Sequence, residues 1–147
     1  MQIQGINRQD AAKVFINFRN VDGGGSITAN DPVCLAVDGN SVNGNNATYP
    51  AAASIKGWIG IADKTVAING YGRAQAFGYR DSIKVSNETT SITITAGDAL
   101  IPVATTVGLS SVGGVTLAYT NMKYAIASET LTLSQGQVYI KGIIRAL

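Results

Sequence analysis

From Lys13 the chain alternates with a period of two: Val14, Ile16 and Phe18 fall on one side, and Phe15, Asn17 and Arg19 on the other. Successive strand side chains point to opposite faces, so this alternation specifies a β-strand. Further strand candidates are 32–38, 57–62, 71–80, 82–86, 90–95, 99–104, 115–119, 123–129 and 137–147, many separated by glycine or asparagine. About ten short strands at close spacing predict an all-β fold, a sandwich or barrel of β-tulip or jelly-roll-like kind, and not a βαβ fold. Tyr49–Ser54 suits one short helical turn, and no segment carries a sustained helical stripe.

A chain of 147 residues suits one domain. We place that β domain at 13–147 and read 1–12 as an extended N-terminal arm. Ile3 and Ile6 are the arm's only large aliphatics after Met1, so it gains order by docking or frays in the free protein. Asp38–Thr48 is rich in glycine and asparagine and reads as a solvent-facing loop. In Tyr71–Tyr79 the odd positions carry Tyr, Arg, Gln, Phe and Tyr, and the even ones only Gly and Ala. One face of that strand is therefore bulky and the other flat enough for a backbone or sheet to approach closely. The neighbour belongs either to the same chain or to another copy.

Hydrophobic residues make up 46% and charged residues 14%, an apolar and weakly charged balance that suits a surface partly covered by a partner. The net charge of +2 is dispersed without a basic run, which gives a nucleic-acid partner little support. Arg73, Phe77 and Tyr79 on one strand face form at most an isolated stacking platform. The single cysteine, Cys34, lies in the apolar run Pro32–Val37 and is expected to be a buried thiol. The first residues lack a basic and apolar leader pattern, and no run reaches the roughly 20 apolar residues of a membrane helix. No membrane partner is expected.

There is no histidine, the side chain most often used for acid–base work near neutral pH and for binding metals. One cysteine without histidine argues against zinc and against Cys–His or Ser–His nucleophiles. The nine acids, Asp10, Asp22, Asp31, Asp38, Asp63, Asp81, Glu88, Asp98 and Glu129, mostly sit at predicted turns and read as solvated turn residues. A carboxylate pair for glycoside hydrolysis is the enzymatic alternative, with Asp81 and Asp98 as its candidates. Gly70-Tyr71-Gly72 opens like a dinucleotide fingerprint, but Gln75 and a continuing strand break the pattern. No catalytic, cofactor-binding or metal-ligating residue is expected.

Several segments resemble those of tailed-phage head decoration, or cement, proteins. They are Ala12–Val21, Asn30–Cys34, Gly57–Ala62, Tyr71–Arg80, Ala96–Val103 and the closing Val138–Leu147. The resemblance implies a β-rich, non-enzymatic protein on the outer surface of the virion, made in the host cytoplasm. It implies the major capsid protein as partner and a homotrimer as the working form. For contacts with capsid or neighbouring copies we single out Met1, Gln2, Ile3, Gln4 and Ile6 of the arm, and Phe77, Tyr79 and Arg80 of the flat-faced strand. A carbohydrate-binding or adhesin-like module, stacking sugars on Tyr49, Trp58 or Tyr79, is the main alternative. A tail or head-fibre component is the other.

Overall fold

The computed structural model describes residues 12–37, 44–51, 54–103, 108–111 and 124–146. Among these the chain is all-β, its one helical element being a 3-10 turn at Ile55–Gly57. The strands are β1 (Val14–Asn20), β2 (Pro32–Leu35), β3 (Asn46–Thr48), β4 (Trp58–Ala62), β5 (Tyr71–Ile94), β6 (Ala99–Pro102), β7 (Leu109–Ser111), β8 (Tyr124–Ala127) and β9 (Leu131–Arg145). Three expected strands, 71–80, 82–86 and 90–95, are one 24-residue strand, β5. Asp81 and Asn87 mark irregularities in its pairing, where turns were expected, and the ladder with β9 carries the chain through both. β3 lies at the end of the expected Asp38–Thr48 loop because Ala47 is fully buried and pairs with β2. The helical turn falls just beyond Tyr49–Ser54. Candidate 115–119 and arm residues 1–11 lie outside the described residues.

The sheet order is β1-β3-β2-β4-β5-β7-β6-β8-β9, and two further pairings, β1–β5 and β5–β9, close it into two circuits that share β5. The first circuit runs β1-β3-β2-β4-β5 and the second β5-β7-β6-β8-β9. Each has one parallel pair, β1–β3 or β5–β7, with the rest antiparallel. Topologically the second circuit repeats the first.

Sequence and hydrogen bonds repeat with it. Ile27-Thr28-Ala29-Asn30-Asp31 corresponds to Ile94-Thr95-Ala96-Gly97-Asp98, and Ile61-Ala62-Asp63-Lys64-Thr65-Val66 to Ile126-Ala127-Ser128-Glu129-Thr130-Leu131. Asp31 Oδ2 accepts Thr28 N at 2.9 Å, and Asp98 Oδ2 accepts Thr95 N at 2.8 Å. Ala29 N donates to Thr65 Oγ1 at 3.2 Å, and Ala96 N to Thr130 Oγ1 at 3.1 Å. Asn30 N reaches Ala62 O as Gly97 N reaches Ala127 O. Asn30 and Gly97 share positive φ, 72° and 98°, a conformation glycine and asparagine tolerate.

Two cores result. Phe18, Ile27, Val33, Ala47, Ile59, Ala62, Val66 and Ala74 cluster within the first circuit. A second cluster joins Ile83, Val85, Ile94, Leu100, Leu109, Ile140 and Ile144 to Cys34, Trp58 and Ile61, which come from the first circuit's strands. β4 is thus buried on both faces, which explains the unbroken apolar run Trp58–Ala62. The flat face of β5 meets its own chain: a Cβ on Gly72 would lie 2.2 Å from Val66 Cγ2, and one on Gly78 2.2 Å from Ala12 O.

Candidate interaction surface

Where β1, β5 and β9 lie side by side, cross-strand register sets Val14 beside Phe77 and Phe77 beside Arg145, with Tyr79 beside Ile143 and Ile143 beside Ile126 of β8. Strand alternation buries Ala76, Ile140, Ile144 and Ala146 and turns Phe77, Tyr139 and Ile143 outward. Val14, Phe77 and Ile143 are each about 40% exposed and Tyr139 more so, leaving an apolar strip on the outer face. Arg73, also outward, holds Asp63 at 2.8 Å and stacks 4.6 Å above the ring of Phe15.

Of the contact residues expected from sequence, Phe77 and Tyr79 lie in this strip. Arg80 does not. Its guanidinium donates to Ser82 O, Gln75 Oε1, Asn30 Oδ1 and Ala62 O, so its donors tie the first circuit to the second half of β5. Burial lowers its pKa from the ordinary arginine value. Met1, Gln2, Ile3, Gln4 and Ile6 lie outside the described residues.

Asp31 corrects the reading of the acids as solvated turn residues. It occupies a turn but is 1% exposed, paired with Lys84 Nζ and 2.9 Å from the Tyr49 hydroxyl. Sequence reasoning missed Lys84 and Asn30; the signal that exposes their site is the repeated Ile-Thr-Ala-x-Asp segment. Cys34 is fully buried, as expected, and desolvation pushes its thiol up to about 12. Among the described residues no three His, Cys, Asp or Glu side chains group to hold a metal ion. No helix among them is long and apolar enough to cross a membrane.

Two aromatics proposed for sugar stacking are engaged internally. Trp58 is buried with Nε1 donating to Gly60 O at 2.7 Å, and the Tyr49 hydroxyl lies 2.6 Å from Ser26 O. A surface cleft of about 510 Å³ instead gathers Asn17, Asp63, Lys64, Tyr71 and Arg73, with Tyr71 79% exposed. The chain matches no family model and no curated protein.

Proposed function

We propose that this chain is a non-enzymatic cement protein of a tailed-phage head. In this reading it binds the outer surface of the expanded capsid, bridges neighbouring major capsid protein subunits and works as a homotrimer. The observation that carries the reading is the exposed apolar strip of Val14, Phe77, Tyr139 and Ile143, on β1, β5 and β9 where the two circuits meet. Together with the segments that resemble decoration proteins, it suits a body held by many identical partners. Burial of such a strip contributes about 25 cal/mol per Å². An oligomer multiplies weak single contacts into firm retention. A protein that binds only the assembled shell stabilises it by mass action. At finer grain, we propose that each circuit forms a small barrel, within the sandwich or barrel class, and that residues 1–12 dock on a neighbour as an arm.

Co-sedimentation of the purified protein with expanded, undecorated heads and with unexpanded procapsids tests this. Saturable, stoichiometric binding that prefers expanded heads is expected, and Phe77→Ser should weaken it by about tenfold, as loss of a large apolar side chain from an interface does. Absence of binding to both particles overturns the reading.

The cleft around Tyr71 favours carbohydrate binding as a second reading. An exposed ring beside carboxylate, amide and cationic groups can stack and hydrogen-bond a sugar. Glycan-array binding abolished by Tyr71→Ala, with no head binding, would replace the cement reading. Labelled electron microscopy that places the chain on a tail or head fibre would keep it in the virion and move its site.

A further inference from the structure

The cleft around Tyr71 has a counterpart in the second circuit, and the two differ in charge. Ala62 pairs with Ala74 as Ala127 pairs with Gly142. Asp63 N donates to Arg73 O at 3.0 Å as Ser128 N donates to Lys141 O at 2.9 Å. Tyr71 therefore corresponds to Tyr139, Arg73 to Lys141, Asp63 to Ser128 and Lys64 to Glu129. Each circuit presents an exposed tyrosine next but one to a cation, with Tyr71 79% exposed and Tyr139 53%. In the second circuit Glu129 answers that cation: it lies 3.9 Å from Lys141 Nζ and accepts Lys141 N at 2.8 Å. In the first circuit Asp63 takes Arg73 instead, and lysine stands at the glutamate's position. Lys64 is exposed and forms no ion pair among the described residues.

The cleft is also held in shape. Val66 exchanges backbone bonds with Ile27 at 2.8 and 3.0 Å and lies directly on the Gly72 backbone, so the 63–66 connection is fixed against β5. Asp63 grips Arg73 through Nε, and the guanidinium rests on the Phe15 ring, which fixes the direction of its two outer nitrogens. A volume of about 510 Å³ is that of a small-molecule site. Two cations, Lys64 and Arg73, face one carboxylate, Asp63, so the cleft carries a surplus positive charge that its counterpart lacks.

Resting on the carbohydrate reading of this cleft, we propose that its ligand is an acidic saccharide, with a carboxylate on the sugar ring as in uronic and sialic acids. The apolar face of the sugar stacks on Tyr71, and its carboxylate lies against Lys64 and the outer nitrogens of Arg73. Sugar hydroxyls donate to Asp63 and exchange hydrogen bonds with the Asn17 amide. A nucleic-acid strand fits less well, because Asp63 repels phosphates where it accepts from hydroxyls, and no basic run extends the cleft. Glu129 repels a carboxylate at the counterpart, so one acidic saccharide binds per chain. The cleft shares no residue with the apolar strip, so saccharide binding and docking through the strip use separate groups.

A glycan array bearing uronic-acid, sialic-acid and neutral oligosaccharides, probed with the full chain, tests the proposal. Titration calorimetry then compares the best-bound acidic oligosaccharide with its carboxyl methyl ester, and far-UV circular dichroism verifies the fold of each variant. Wild type should bind acidic oligosaccharides above neutral ones, and esterification should weaken binding by about tenfold or more. Lys64→Glu should weaken the acid by about tenfold or more and the ester by no more than about twofold. Lys13→Glu, the same charge change at an exposed position outside the cleft, should leave both unchanged. Tyr71→Ala should weaken both. Neutral oligosaccharides bound as well as acidic ones overturn the proposal and leave the carbohydrate reading standing, whereas no saccharide binding overturns both. Acid binding that a folded Lys64→Glu or Tyr71→Ala retains in full also overturns the proposal.

Discussion

Asp31 and Lys84 meet across more than fifty positions of sequence, at a junction where the carboxylate is almost fully buried and the ammonium nearly so. Removing water from two charges is costly, and the pair persists because Asp31 also accepts Thr28 N and lies beside the Tyr49 hydroxyl. Lys84→Met leaves that carboxylate buried without its cation, and should lower the unfolding free energy by about 3–5 kcal/mol. Urea denaturation measures it; a midpoint equal to wild type would show that the pair contributes little. The burial of Cys34 was legible from its apolar neighbours, because local hydrophobicity decides the position of a small thiol. The burial of Asp31 was not: a turn acid is ordinarily solvated, and only the approach of Lys84 from β5 explains the exception.

At the scale of elements, β4 shows how a backbone detail sets packing. Gly60 has φ 143°, and a Cβ there would lie 2.2 Å from Gln75 O. The register between β2 and β4 shifts beside it, so that Trp58 and Ile61 turn to one core while Ile59 and Ala62 turn to the other. Gly60→Ala should therefore destabilise the fold by about 1–3 kcal/mol from backbone strain alone, and more if the Gln75 carbonyl must move. Its thermal midpoint, compared with wild type, reads the effect; an unchanged midpoint would mean that β4 re-registers without loss. Apolar runs bounded by turn residues located β1, β2, β4, β6 and β8 within a few residues, because each presents side chains to a core. It divided β5 into three, since bulges at Asp81 and beyond Asn87 resemble turns in sequence, while β9 keeps the chain extended.

At the scale of the molecule, β5 belongs to both circuits, and the core of the second includes Cys34, Trp58 and Ile61 from the first. Neither circuit can lose β5 and stay closed. Unfolding should be a single cooperative transition, with Trp58 fluorescence and far-UV circular dichroism coinciding and calorimetric and van't Hoff enthalpies equal. Two separated transitions would mean that the circuits are independent. The all-β class was determined by the sequence alone, through alternation of apolar and polar residues and turn residues between short runs, which are local properties. The outward placement of Phe77 was legible for the same reason: a strand with one flat face turns bulky side chains the other way. Tertiary structure alone decided that the sheet closes twice around one shared strand, and that Arg80 faces inward as a clamp. It also decided that a buried ion pair joins the halves, because these depend on which distant strands pair and on the low dielectric that their packing creates.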